Sequence, residues 1–339
     1  MKMIPGLKQH PKVDLGLDAT PIQRLSRLGE ELGVDLWVKR DDCTSLTFGG
    51  NKVRQLEYYL GPAAEQGADI VVITGAVQSN FVRTCAAAAR TLGMDALVQL
   101  EDRVPKNDTN YRESGNVLLN KMFGADIRYF PEGEDEAAAD ANLDKLADEL
   151  RAEGRNPYVV HLGLEHAPIG ALGYCNAAVE SKSQMEEMGS LPDHVVIPTG
   201  SGLTHSGFLV GARAIGWDLP IHAICVRRNA DLQRDRIATR CAETLKLLDG
   251  DFSISSDDIK IYDDVLFPGY GQMNEHVQEA ITLAAHLEGL LVDPVYSGRA
   301  LAGLIKLVRD GVIKPGERIL FIHTGGLPAL FAYQNDLVS

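Results

Sequence analysis

Short runs of β-branched residues alternate with alanine-rich stretches along most of the chain, and that alternation leaves few architectures open. A strand that is apolar at every position must be covered on both faces, which is what helices on both sides of a parallel sheet provide. The segment from Asp69 to Gly75, DIVVITG, is such a run, and the stretch from Ser79 to Leu92 after it reads as a helix. The pattern continues with a strand at Asp95 to Leu100, a helix at Asn116 to Phe123, a strand at Asp126 to Tyr129, an acidic solvated helix at Gly133 to Gly154 and a strand at Pro157 to His161. A second series follows Gly163: a helix at Gly173 to Gly189, a strand at His194 to Ile197 and a helix at Thr204 to Gly216, then strands at Ile221 to Val226, Ile259 to Tyr262 and Arg318 to His323. No repeat and no Pro/Ser-rich linker interrupts the series, so two interlocked α/β lobes are expected rather than tandem modules.

Charge narrows the range of partners. The chain has 339 residues with 33 Lys and Arg against 47 Asp and Glu, a net charge of −14 that argues against a nucleic-acid or anionic-membrane surface. The N-terminus has no apolar core of a signal peptide, and no apolar run approaches the ~18 residues of a membrane span. A soluble cytoplasmic protein is expected. Its five cysteines, Cys43, Cys85, Cys175, Cys225 and Cys241, are odd in number and lack zinc-type spacing, so free thiols and no metal are expected.

Several strand ends carry residues suited to chemistry. After Lys39-Arg40-Asp41-Asp42-Cys43-Thr44 comes Phe48-Gly49-Gly50-Asn51-Lys52, with a helical pattern from Val53 to Leu60. A lysine placed where glycine-permitted close packing meets a helix start is poised for desolvation, which lowers its amine pKa and makes it a Schiff-base former and proton carrier. Pro198-Thr199-Gly200-Ser201-Gly202-Leu203-Thr204, between an apolar strand and a helix, suits an anion such as phosphate. It lacks the lysine of a P-loop and the GxGxxG of a dinucleotide turn, which argues against a nucleoside triphosphate and against a nicotinamide dehydrogenase. Gly75-Ala76-Val77-Gln78-Ser79-Asn80 lies at another strand end, where Gln, Ser and Asn could bind a carboxylate and Ser79 could equally cap the helix. Tyr270 in PGYG and Tyr296 in DPVYSGR could donate protons or serve as packing, and HTGG at His323 to Gly326 follows the last strand.

Taken in order, FGGNK, GAVQSN, the TGSG loop, PGYG, DPVY and HTGGLPALFAY resemble the pyridoxal-phosphate enzymes comprising D-cysteine desulfhydrase, 1-aminocyclopropane-1-carboxylate deaminase and L-cysteate sulfo-lyase, from about Thr20 to Tyr333. The resemblance implies an α/β fold of the tryptophan-synthase-β-like kind (fold type II) with two open twisted α/β domains. Residues 1–51 and 164–339 would form the large cofactor-binding domain and residues 52–163 the small inserted one. It implies a homodimer, and pyridoxal 5′-phosphate carried on Lys52. Gly200, Ser201, Gly202, Leu203 and Thr204 would cup the phosphate, Asn80 would approach the pyridoxal 3-hydroxyl and Thr324 would face the pyridine nitrogen. Gln78 and Ser79 would hold the substrate carboxylate, with Tyr296 and Tyr270 near the reacting carbons.

The same parts imply β-elimination. Lys52, displaced by an amino-acid substrate, would remove the α-proton while the cofactor accepts electron density. A hydroxyl at the ring nitrogen leaves that nitrogen largely unprotonated, which favours prompt loss of a β-leaving group. The deaminases of the family carry a glutamate directly after the tyrosine of DPVY, whereas this chain has Ser297, which counts against ring opening. Loss of sulfide from D-cysteine is the expected reaction, giving pyruvate and ammonia. Loss of sulfite from L-cysteate is the alternative, and it would need a cationic site for the sulfonate. Arg83, Lys106, Arg112, Arg227 and Arg228 are candidates for that site, with Arg112 preferred. A catalytically silent protein that only binds pyridoxal phosphate is the remaining alternative, disfavoured by the presence of Lys52 and both tyrosines.

Overall fold

A computed structural model describes residues 4–337; the outermost residues of the expected large domain, 1–3 and 338–339, lie outside the described residues. The strands are β1 (Ile22–Arg24), β2 (Asp35–Arg40), β3 (Ile70–Ala76), β4 (Asp95–Glu101), β5 (Asp126–Phe130), β6 (Pro157–Val160), β7 (His194–Thr199), β8 (Ile221–Cys225), β9 (Lys260–Tyr262) and β10 (Arg318–His323). The helices are α1 (Ser26–Leu32), α2 (Lys52–Glu65), α3 (Asn80–Thr91), α4 (Thr109–Glu113), α5 (Gly115–Met122), α6 (Glu136–Ala152), α7 (Ala171–Glu187), α8 (Leu203–Ala214), α9 (Ala230–Leu247), α10 (Glu275–Glu288), α11 (Ser297–Arg309), α12 (Leu327–Ala332) and α13 (Gln334–Leu337).

They build two sheets. One has six strands in the order β1-β2-β10-β7-β8-β9, and the other has four in the order β5-β4-β3-β6. Every pairing is parallel except the edge pair β1–β2. All four strands of the smaller sheet come from the stretch between β2 and β7, so the chain leaves the larger sheet, completes the smaller one and returns.

The apolar runs are continuous because both faces of each sheet are covered, and successive side chains go to opposite sides. In β3, Val71 and Ile73 join the core under α2 and α3, while Ile70 and Val72 meet Leu143 of α6. In β7 and β10, Val195, Ile197, Leu320 and Ile322 pack toward α7 and α8, whereas Val196, Ile319 and Phe321 pack toward α10 and α11.

The expected strands and helices of the two series all form, with ends displaced by a few residues. Two of the elements that the apolar pattern missed turn charges inward. In α9, Arg236 and Arg240 are buried, which breaks the helical apolar stripe. In β2, Lys39 is buried and pairs with Glu180 of α7. Arg54 and Asp41, each almost wholly buried, pair beside them at 2.8 Å. Asp41 also accepts from Thr20 Oγ1 (2.8 Å) and the Tyr174 hydroxyl (2.5 Å), and Arg54 donates to Glu180 (2.9 Å). The Lys39 to Asp42 segment therefore anchors the start of α2 to α7. All five cysteines are free, four of them buried, and no helix among the described residues is long and apolar enough to cross a membrane.

Candidate active site

The two sheets present the carboxyl ends of their strands to one cavity of about 1080 Å³, counting its open mouth. Thr74 to Ala76 from β3, Glu101 from β4, Pro198 and Thr199 from β7, and Thr324 beyond β10 all line it. This is where open parallel sheets place ligands, because strand ends and helix starts meet there.

Lys52 is the first residue of α2 and lines the cavity. Gly49 and Gly50 ahead of it adopt φ values of 62° and 118°, and a Cβ on Gly49 would lie 2.0 Å from the Asp42 carbonyl oxygen, so only glycine fits this turn. The Lys52 Nζ sits 5.0 Å from the centre of the Phe81 ring, with Gln55 Oε1 at 3.4 Å. No carboxylate offsets the loss of water, and burial lowers the amine from its ordinary 10.5 to about 8.

The loop at the start of α8 has the polarity an anion needs. The Gly200 carbonyl accepts from Arg228 (3.2 Å) and Gln233 (3.1 Å), and the Ser201 carbonyl accepts from Arg236 (3.0 Å). Because a trans peptide points its N–H opposite its carbonyl, these bonds turn the Ser201 and Gly202 N–H groups away from α9. No side chain caps α8, whose first turn is thus open to an anion. Thr204 adds a hydroxyl that accepts from Asn51 and Gln55, both at 2.8 Å. His205 lines the same wall with neither ring nitrogen hydrogen-bonded, and burial lowers it to about 3, so its imidazole is neutral. A desolvated amine, an uncapped glycine-rich helix start and orphaned ring nitrogens in one cavity fit the aldehyde and phosphate of pyridoxal phosphate.

The other expected residues divide. Ser79, Asn80, Gly200, Ser201, Gly202, Thr204, Tyr270, Tyr296 and Thr324 line the cavity with Lys52. Ser79 caps α3, accepting from Val82 N at 3.2 Å, and Asn80 Oδ1 is fixed by Asn116 at 2.9 Å. Thr324 Oγ1 is 3.5 Å from Ser297 Oγ, whose hydroxyl donates to the Gly325 carbonyl at 2.6 Å. The Tyr270 and Tyr296 hydroxyls are 3.0 Å apart. Burial, followed by the neighbouring Tyr270, pushes the Tyr296 phenol well above its ordinary range, so it holds its proton.

Three expected residues are not on the cavity wall. Leu203 is buried in the apolar core at the start of α8. Gln78 spends its side chain on the Tyr111 (2.6 Å) and Ser114 (3.0 Å) carbonyls and on Asn116 N (2.9 Å), so its amide has no capacity left for a substrate carboxylate. Arg112 pairs with Asp102 at 2.6 Å and lies 5.8 Å from the Tyr129 ring centre. Two of the other basic candidates are also spent elsewhere: Arg83 donates to Asn116 Oδ1 (3.1 Å) and Lys106 to Asp336 (2.8 Å).

The cavity instead receives Arg103, Arg227 and Arg236. Arg103 makes a two-pronged pair with Glu101 (2.7 and 2.8 Å), which in turn accepts from Thr74 at 2.6 Å. Arg227 (2.6 Å) and Arg236 (3.2 Å) converge on Glu136, as does Arg228. Burial alone would raise the Glu136 carboxyl, but these arginines and Arg103 outweigh it and hold the group at about 2. Arg227 was among the basic candidates. Arg103 and Arg236 lie outside that set, although Arg103 follows the end of β4, one of the strand ends that open on the cavity.

The chain matches the family described as pyridoxal-phosphate dependent enzyme over residues 13–325. It is 40% identical to a D-cysteine desulfhydrase of Yersinia pestis over 338 residues, covering 98% of this chain and 99% of that protein. It is 37% identical to a 1-aminocyclopropane-1-carboxylate deaminase of Mesorhizobium japonicum over 330 residues, covering 96% of this chain and 98% of that one. Among solved structures, one described as an ACC deaminase homologue superposes with a TM-score of 0.87 at 36% identity, covering 98% of this chain and 97% of the other. A fungal L-serine ammonia-lyase from Rhizomucor miehei shares the fold, with a TM-score of 0.68 at 20% identity over 95% of this chain and 99% of that one.

Proposed function

The chain belongs to the pyridoxal-phosphate-dependent enzyme family, with its fold type II architecture and its cofactor, and from that premise we propose that it is a carbon–sulfur lyase converting D-cysteine and water to pyruvate, ammonia and hydrogen sulfide. The reading rests above all on Ser297. It is fully buried and gives its hydroxyl to Gly325, so the position after Tyr296 offers no carboxyl group to assist opening of a cyclopropane ring. Elimination needs only a base at Cα and a proton for the departing sulfur.

Bound at Lys52, pyridoxal phosphate supplies the electron sink that makes the substrate's Cα–H acidic. The first turn of α8, with Gly200, Ser201, Gly202 and Thr204, would hold the phosphate, and Leu203 would contribute only its main chain. Asn80, beyond β3, and Thr324, beyond β10, would orient the ring, and Ser79 would hold the substrate carboxylate. The Lys52 Nζ removes the α-proton. The Cβ–S bond then breaks and Tyr296, kept protonated by burial, protonates the leaving sulfur, with Tyr270 fixing the direction of its hydroxyl. In this reading residues 1–51 and 164–339 form the larger, cofactor-holding part and residues 52–163 the smaller. The enzyme acts as a cytoplasmic homodimer on a small amino acid, without nucleic-acid or membrane partners.

A second reading, L-cysteate with sulfite leaving, is favoured by one observation: Arg103, Arg227 and Arg236 line the cavity. Arg103 is the best placed of the three, because its charge acts on both Tyr270 and Tyr296. Pyruvate formation from D-cysteine, L-cysteine, L-cysteate and 1-aminocyclopropane-1-carboxylate, assayed side by side, separates the readings. Pyruvate and sulfide from D-cysteine are expected, and sulfite from L-cysteate alone overturns the first reading in favour of the second. If L-cysteate is turned over, Arg103→Gln should raise its KM about tenfold or more relative to that of D-cysteine, the scale of one charge-assisted hydrogen bond. Arg112→Ala should leave the ratio unchanged.

The lowered Lys52 amine has its own test. Only the neutral amine attacks an aldehyde, so the rate at which the apoenzyme takes up pyridoxal phosphate should rise with pH around the Lys52 midpoint, about 8, and level off above it. Stopped-flow absorbance reads this directly. A rate still climbing at pH 10 would mean that the amine keeps its ordinary value.

A further inference from the structure

At the edge of the cavity, α6 and the segment after β6 bring together Asp140, His161 and His166, each with a ligand atom within 4.8 Å of the others'. His161 ends the strand run and His166 follows in the sequence His161-Leu162-Gly163-Leu164-Glu165-His166, within the H-x₃₋₅-H spacing that zinc sites use. The two imidazoles lie face to face, with centroids 3.9 Å apart and planes 5° from parallel.

Three features of the cluster ask for a cation. Asp140 is 7% exposed and its Oδ2 has no hydrogen-bond partner. An unpaired buried carboxylate oxygen is costly. His161 Nδ1, equally unpartnered, lies 3.8 Å from Asp140 Oδ1, while its Nε2 lies 3.1 Å from Asp144. A carboxylate holding the far nitrogen of an imidazole whose near nitrogen is free is the arrangement that orients metal-binding histidines. A Cβ built on Gly163 would sit 2.5 Å from Asp140 Oδ2 and 2.4 Å from Glu165 Oε1, so two carboxylates point at the same bare stretch of backbone.

We propose that Asp140, His161 and His166 form a binding site for a borderline divalent ion of the Zn²⁺ class, with Asp144 orienting His161 and Glu165 or water completing the coordination. Two imidazoles and one carboxylate match zinc rather than magnesium or calcium, which prefer oxygen ligands alone. Ligand atoms ~2.0–2.2 Å from a tetrahedral zinc lie about 3.3–3.6 Å apart, so the three must draw together and the stacked rings must turn their nitrogens toward the ion. The ion takes no part in the proposed Lys52 chemistry, although Asp140 lines the same cavity as Lys52, and its structural effect is specific. Leu162 and Gly163 line the cavity, and Arg240 grips the carbonyls of Leu162 (2.8 Å), Gly163 (2.8 Å) and His166 (2.8 Å). An ion here ties α6 to the segment by which the chain returns to the larger sheet.

The test uses the holoenzyme, freed of metal by chelator dialysis, then titrated with Zn²⁺ against a chromophoric chelator and melted with and without the ion. One Zn²⁺ per chain is expected, with a rise in melting temperature. His161→Ala/His166→Ala should bind at least about a hundredfold more weakly and lose the rise, since even orienting partners are worth ~10–100-fold. Asp144→Asn, a near-isosteric change at an exposed side chain, should weaken binding about tenfold. Metal-free melting temperatures matching the wild type establish that the variants are folded. Cys43 is exposed and shared by all of them, so any zinc it takes is common background. No zinc uptake by the wild type, or equal affinity in the wild type and the double variant, overturns the proposal.

Discussion

Replacing Lys52 by alanine is expected to abolish pyruvate formation and the yellow colour of the holoenzyme together. In the proposed mechanism the side chain supplies both the attachment point for the cofactor and the base that takes the α-proton, and among the described residues it is the only lysine on the cavity wall. Loss of positioned acid–base catalysis alone is worth ~10²–10⁴ in rate, and losing cofactor anchorage adds to it. Lys52→Arg should be equally inactive, because a guanidinium neither attacks an aldehyde nor gives up its proton near neutrality. Neither variant should lose much stability, since the ammonium offsets no buried carboxylate. A Lys52→Ala enzyme that forms pyruvate at the wild-type rate would remove Lys52 from the mechanism.

The second large effect concerns stability. Asp41→Ala is expected to cost about 3–5 kcal/mol, the range for breaking a buried ion pair and leaving one charge behind. Asp41 is fully buried and accepts from Arg54, Thr20 and Tyr174 at once. Its removal leaves the buried Arg54 guanidinium with the Glu180 carboxylate and the Thr20 hydroxyl. Arg54 sits in the first turn of α2, which Lys52 begins, so the same change should also slow turnover by loosening the helix that aims the amine. Asp41→Asn keeps the acceptor oxygen and should cost less than alanine. Denaturant titration of the holoenzyme measures both, and an Asp41→Ala cost below about 1 kcal/mol would show that the cluster is not the anchor of α2.

Asp41 and its neighbours also show where the sequence misleads. The run Lys39 to Asp42, placed just before FGGNK, reads as part of a reactive segment. In the structure Arg40 pairs with Asp42, Lys39 with Glu180 and Asp41 with Arg54, and only Asn51 and Lys52 reach the cavity from this stretch. Arg112 misleads in the same way. Its segment lies near the cleft in sequence terms, yet Asp102 and Tyr129 hold its guanidinium. Gln78 stands beside two cavity residues, Ser79 and Asn80, but turns its amide into the loop that opens α5.

The sequence by itself determined the α/β alternation, most strand and helix positions, the glycine turn before Lys52, the anion loop before α8 and, through the order of these segments, the resemblance to pyridoxal-phosphate enzymes. These features are local: strand and helix periodicity and glycine's left-handed backbone act over a few residues and are written where they act. Only the tertiary structure decided which charges face the cavity and which are spent elsewhere. Arg236 meets Glu136 across 100 residues of sequence, and Arg54 meets Glu180 across 126. A buried charge is defined by its partner, and a partner that distant is fixed by the packing of the two sheets, not by any pattern along the chain.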